Sequence, residues 1–220
     1  MKYRGIYFLL FLLLLSACKK KEELQKSRKV TTLPFFNSAS FTPEWIEKTH
    51  KNYSKIHKIS DFSLTNQEGM TITQNYFEGK IYVADFFFTT CSGICRSLSL
   101  NMKLLQETFK NDPEVLLLSH SVTPDIDSVS VLNKYAENYG VDSSKWHLVT
   151  GDKEHIYSLA RNSYFSDEDF IKTNSPSTFI HTENFLLIDK KGRIRGVYNG
   201  TLRLGVKRLI RHIKELKKES

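Results

Sequence analysis

Residues Ile81 to Phe88 (IYVADFFF) form an almost unbroken apolar run. A run this short and this apolar reads as a strand covered on both faces, and such a strand belongs to a sheet with helices on either side. The run feeds directly into Thr89-Thr90-Cys91-Ser92-Gly93-Ile94-Cys95-Arg96, which holds two cysteines at C-x-x-x-C spacing. A helical segment follows, with Leu98, Met102, Leu105 and Phe109 at helical spacing. If that helix begins near Cys91, residues four apart lie one above the other. Both sulfurs then sit at a strand-to-helix junction, near the positive end of a helix dipole that favours thiolates. Such a pair can hold a soft metal, form a reversible disulfide, or brace the fold. A disulfide across so small a loop stabilises little, so bracing is the weakest of the three uses.

The rest of the chain repeats the strand–helix theme. Ile59 to Thr73 reads as a hairpin turning at Asn66-Gln67-Glu68-Gly69, and Phe77 to Lys80 turns into the first buried strand. Val115 to Leu118 is a second buried strand, closing at Ser119-His120-Ser121. Asp127 or Ser128 caps a helix that ends at Gly140. Trp146 to Val149 is a third strand, and Asp152 caps the helix after it. Ser163 to Ser177 is polar and reads as a loop. Phe179 to Ile188 and Ile194 to Tyr198 flank the turn Asp189-Lys190-Lys191-Gly192, and Val206, Leu209, Ile210, Ile213 and Leu216 stripe a final amphipathic helix. The expected fold is α/β, a thioredoxin-like layout with a central mixed sheet flanked by helices and an N-terminal hairpin extension.

Three cysteines divide as one plus two. Cys18 stands apart, after a short basic start (Lys2, Arg4), an apolar run from Ile6 to Leu15, and the small residues Ser16 and Ala17. The run is too short to span a bilayer as a helix and suits a signal peptide. Leu15-Ser16-Ala17-Cys18 resembles the bacterial lipobox, in which the cysteine is lipidated. The expected organisation is a lipoprotein signal peptide over 1–17, a tether over 18–52, and one domain over 53–220. The domain would be exported, anchored by lipid to the bacterial cell membrane, and exposed in the periplasm or extracytoplasmic space, where disulfides persist. The formal net charge of +8 is concentrated in Lys19-Lys20-Lys21 with its neighbours and in the last turns of the chain. Charge placed at chain ends argues against nucleic-acid binding.

With these residues in view, the chain resembles the Sco/SenC family of copper-binding proteins that help assemble cytochrome c oxidase. The resemblance covers most of residues 57–216. It rests on Asp61-Phe62-Ser63-Leu64-Thr65, on Thr89 to Cys95, on Ser121 to Ser128, and on His181 to Asp189 with Gly192-Arg193 behind it. It implies a monomeric thioredoxin-like domain on a membrane anchor, with copper, Cu(I) or Cu(II), held by Cys91, Cys95 and His181. It also implies a client, either the oxidase's copper-bearing subunit or another copper or thiol client. Two soft thiolates suit Cu(I), and an imidazole also accommodates Cu(II). Closed structural zinc would need a fourth ligand, and no further cysteine supplies it. The family's prolines after each cysteine and its loop aspartate are replaced by Ser92, Arg96 and Gly93, and Thr123 replaces the aspartate of its S-V-D-P stretch. None of these is a metal ligand, so the departures bear on partner recognition.

Asp85, six positions before Cys91, is a carboxylate in an apolar strand, costly unless it has a role or a partner. As a general base toward a thiol it would favour a different class of function, a thiol–disulfide oxidoreductase using the redox pair Cys91 and Cys95. A redox or copper sensor acting through the loop 163–177 is a third class. His120 competes with His181 as an imidazole close to the cysteines. Asp127 reads as a helix cap, and Arg96 as added positive charge beside Cys95 that favours thiolate.

Overall fold

The computed structural model describes residues 32–167 and 182–219. Strand β1 (Ser63–Asn66) and β2 (Thr71–Thr73) make the expected hairpin, its turn closed by Gly69 at φ +78°. β3 (Ile81–Phe87) leads into α1 (Cys95–Thr108), β4 (Val115–Ser121), α2 (Val129–Tyr139), β5 (Trp146–Thr150) and α3 (Lys153–Ser158). β6 (Asn184–Ile188), β7 (Ile194–Asn199) and α4 (Arg203–Leu216) complete the described chain. The strands form one seven-stranded mixed sheet in the order β2-β1-β5-β4-β3-β6-β7. β3, β4 and β5 run parallel at its centre, and the two hairpins add antiparallel edges on either side. β3 and β4 are buried at every residue, as the unbroken apolar run requires.

Side chains alternate across the sheet and divide the core in two. On one face Val83, Phe87, Leu117 and Leu148 pack against Leu98, Met102 and Leu105 of α1, Leu132 of α2, and Val206, Leu209 and Ile213 of α4. On the other face Tyr82, Ala84, Phe86 and Leu118 pack against Ile156 of α3, Tyr164 and the hairpin residues Phe62 and Ile72. Each fully buried aliphatic side chain here contributes roughly 2 kcal/mol. All of this core lies within the unit Leu33–Ser220.

Part of the stretch read as tether is packed on this unit. Leu33 and Phe35 are buried, Phe35 exchanges backbone hydrogen bonds with Glu44 (2.8 and 2.9 Å), and the Phe36 N–H donates to the Ile194 carbonyl at 3.1 Å. The reason is Arg195, which is 3% exposed. Its Nε donates to the Pro34 carbonyl (3.0 Å), its Nη2 to the Leu33 carbonyl (2.5 Å) and to Glu219 (2.6 Å), and its guanidinium lies 4.2 Å from the Phe35 ring. A spacer whose carbonyls satisfy a buried cation is held in place.

Candidate metal centre

The cysteine loop hangs from the C-terminal end of β3, between Phe87 and the first turn of α1. Cys91 is not on the helix, as the spacing suggested. α1 begins at Cys95, with Ile94 at the cap position, and Cys91 lies in the turn before it. The two thiols still meet, because the loop folds back and the Cys91 and Cys95 side chains are in hydrogen-bond contact. Cys91 is partly exposed and Cys95 is 4% exposed, and both are free thiols.

Their electrostatics differ. Burial opposes ionisation of Cys91, but the Cys95 thiol and the backbone N–H groups of Cys95, Gly93 and Ile94 outweigh it and hold the thiol below its usual value. Burial dominates at Cys95, and the neighbouring Cys91 and the Asp85 charge add to it, so its pKa is pushed up to about 12. The thiolate-favouring groups are therefore the Cys95 thiol and, after it, the amides of the turn. Arg96, suggested for that task by the sequence, instead lines a groove between α1 and α2.

Asp127 is not the cap of α2. Ser128 is, its Oγ accepting from the Val131 N–H. Asp127 is fully buried and accepts four hydrogen bonds. Oδ2 takes the Thr89 N–H (3.2 Å), the Ser121 hydroxyl (2.6 Å) and the Thr123 hydroxyl (3.0 Å), and Oδ1 takes the Thr89 hydroxyl (2.5 Å). This knot ties the base of the cysteine loop to the end of β4. A carboxylate six residues after a serine and four after a threonine on a strand-ending turn was the available sequence signal. Sequence reasoning spent it on a cap.

Asp85 faces the α1 side of the sheet with Val83 and Phe87, opposite Ser119 in β4. It is 2% exposed, burial raises its pKa to about 7 with a Ser119 hydrogen bond opposing, and its Oδ1 lacks a partner. His120 faces the other way. It stacks on Phe86 at 4.8 Å among Phe62 and Tyr164, and its pKa is lowered to about 4 by burial. The sheet thus separates His120 from the cysteines. His181 and Cys18 lie outside the described residues, as do Phe179 and Ile180 of the expected strand. Among the described residues no third His, Cys, Asp or Glu joins the pair. The donors present, two adjacent sulfurs with one thiol poised to ionise, suit a soft monovalent cation.

The SCO1/SenC family model matches residues 50–218. The chain belongs to the SCO1/SenC family. Its relative in Bacillus subtilis, a SCO1 protein homolog, is 30% identical over 149 residues, covering 66% of this chain and 75% of that one. Among solved structures, a SCO1/SenC family lipoprotein from Bacillus anthracis is 29% identical with a TM-score of 0.64, covering 78% of this chain and 99% of that chain. BsSco, described as having a disulfide switch and as a member of the Sco family of cytochrome c oxidase assembly proteins, is 26% identical with a TM-score of 0.63, covering 75% and 96%. Arabidopsis thaliana ScoI, solved with copper bound, is 24% identical with a TM-score of 0.56, covering 72% and 98%, and supports the shared fold. The thioredoxin-like layout expected from the sequence is the fold of this family. No helix among the described residues is long and apolar enough to cross a membrane.

Proposed function

We propose that the protein is a lipid-tethered, extracytoplasmic copper carrier. It takes one copper ion as cargo through Cys91, Cys95 and His181 and passes it by ligand exchange to the binuclear copper site of a cytochrome c oxidase subunit. The observation that carries this reading is the meeting of two free thiols at the end of β3, one of them held below its usual pKa by its partner thiol and the amides of its turn. Family membership and the copper-bound relatives support it. The test is a Cu(I) titration, against a competing chelator, of the fragment from residue 30 onward, which retains the whole core. Wild type should bind one equivalent, and His181→Ala should lose more than the ~10–100-fold typical of removing an outer partner of a metal ligand. Undiminished binding by a Cys91→Ser, Cys95→Ser double variant would overturn the proposal.

One observation favours a second activity for the same pair. Asp85, raised to about 7 and with an unpartnered oxygen, lies on the face under α1 where it raises the pKa of Cys95. In thiol–disulfide exchange the Cys91 thiolate attacks a client disulfide, forming a mixed disulfide and releasing one client thiolate. Cys95 then gives its proton to Asp85 and attacks Cys91 Sγ. The products are a Cys91–Cys95 disulfide and a fully reduced client, so two electrons move to the client. Reduction of a model protein disulfide by wild type, slowed severalfold in Asp85→Asn with Cys91 reactivity unchanged, would support this role.

A further inference from the structure

A groove runs between α1 and α2, and its head is the cysteine loop. Two adjoining clefts, of about 530 and 380 Å³, share Thr89, Tyr135 and Asn138, so they form one continuous channel. Arg96 and Lys103 stand on the α1 side, and Lys134 on the α2 side. None of the three has an acidic partner among the described residues. Elsewhere on the surface, Lys153, Lys190 and Lys217 are paired with carboxylates. The walls are apolar where the charges are not: Leu100 is 51% exposed, Val131 is 37% exposed, and Tyr135 and Tyr139 stack at 4.6 Å. An exposed leucine among three unneutralised cations, in a channel that begins at Thr89, two residues from Cys91, is unlike a simply solvated face.

We propose that this groove docks an extended acidic segment of the protein client, carrying an apolar residue between two carboxylates. The proposal rests on the reading of Cys91 and Cys95 as the site a client visits. The spacing follows from the helix. Arg96 and Lys103 are seven residues apart on α1, about 10 Å at 1.5 Å per residue. An extended chain covers that span in about three residues. Side chains of an extended segment share a face only at every second position, so the two carboxylates sit four positions apart, within reach of the long Arg96 and Lys103 side chains. The middle residue lies on Leu100 and the tyrosine rings, and Lys134 answers from the other wall. Arg96 stands where the resemblance places a proline, so this recognition is a property of this chain.

The test uses the fragment from residue 30 onward, labelled with nitrogen-15, and a peptide with Glu-Ala-Phe-Ala-Glu in a glycine–serine frame. Saturable amide shifts are expected in residues 96–103 and 130–139. Lys103→Gln with Lys134→Gln should weaken binding about five-fold, the combined effect of two exposed ion pairs each in the middle of their range. Raising the salt until the screening length falls below ~5 Å should weaken it further. Copper binding by that double variant should equal wild type, so failure of the copper titration and failure of the peptide titration are separate results. Three outcomes overturn the proposal. They are absence of saturable shifts at millimolar peptide, equal binding of a peptide with Lys in place of Glu, and shifts in the same residues from phosphatidylglycerol vesicles but not from the peptide.

Discussion

Asp127→Ala is the sharpest test of how the cysteine loop is held. The substitution removes the acceptor of four hydrogen bonds from a fully buried site. The hydroxyls of Thr89, Ser121 and Thr123 can rotate toward other acceptors, so each loses only the net worth of its bond. The Thr89 N–H cannot rotate, and a buried unsatisfied donor costs about 1–3 kcal/mol. With bonds to a charged acceptor worth more than neutral ones, and a cavity left behind, the expected loss is about 4 kcal/mol. For a domain of this size that lowers Tm by about 10 °C. Asp127→Asn keeps one carbonyl oxygen for the three donors now on Oδ2, and its amide can donate to the Thr89 hydroxyl in place of the present bond. Its loss should be about 1–2 kcal/mol. Urea unfolding of both variants gives the stabilities, and the rate at which Cys91 reacts with a small alkylating agent reports the loop. Asp127→Ala should also change that rate, because Thr89 is two residues from Cys91. A loss below about 1 kcal/mol in Asp127→Ala, or an Asn variant as damaged as the Ala variant, would refute the reasoning.

Two further perturbations follow from buried charge. Asp85 has a folded-state pKa near 7 against 3.8 unfolded, so the native state binds the extra proton between those values. Wild-type stability relative to Asp85→Asn should therefore fall as pH rises through that window, by at most about 1.4 kcal/mol per pH unit, and level off above it. His120 and His147, both lowered to about 4 by burial, give the opposite slope below 6.5, and the comparison of the two proteins cancels them. Arg195→Met should cost about 3 kcal/mol, because it leaves Glu219 without its cationic partner and the Leu33 and Pro34 carbonyls without a donor, while Asp189 keeps Arg193 at 2.7 Å. Limited proteolysis should then cut within residues 33–52 before the core, and equal protection of the two proteins would count against the anchoring role.

The central strands are legible in the sequence because their signal is local. β3 is buried on both faces, so every residue but Asp85 is apolar, and α1 follows it with helical spacing, as α4 follows β7. The cysteine pair is legible for the same reason. What escapes is whatever depends on contact between distant segments. Nothing near Leu33 says that Arg195, 162 residues later, will take its carbonyl. Nothing in the order Asp127-Ser128 says which of two good capping residues faces inward; the tertiary donors of Thr89 decide it. Spacing alone also misplaced the start of α1. A spacing of four from one cysteine to the next fits a helical turn, but the chain uses the three residues between them for a loop that folds back so that its amides face Cys91. His120 and Asp85 are neighbours on paired strands, yet the two-residue period of a sheet sends them to opposite faces.

The unequal thiols constrain both proposed activities of the pair. A symmetrical dithiol would ionise both sulfurs with equal ease. Here the Cys95 thiol and the amides of the turn stabilise charge on Cys91, while burial, the Cys91 contact and the Asp85 carboxylate oppose it on Cys95. Cys91 is thus the sulfur that first meets a cation or a client disulfide, and Cys95 follows only when its proton has somewhere to go. Asp85 can take that proton near neutral pH, where its carboxyl is close to half-ionised. The same feature that slows a second thiolate in the free protein therefore makes its formation conditional on what Cys91 has already bound. Copper capture and disulfide exchange share that first step at Cys91 and divide at the second. There the proposed third donor, His181, would complete a metal site, and a leaving client thiolate would complete the exchange.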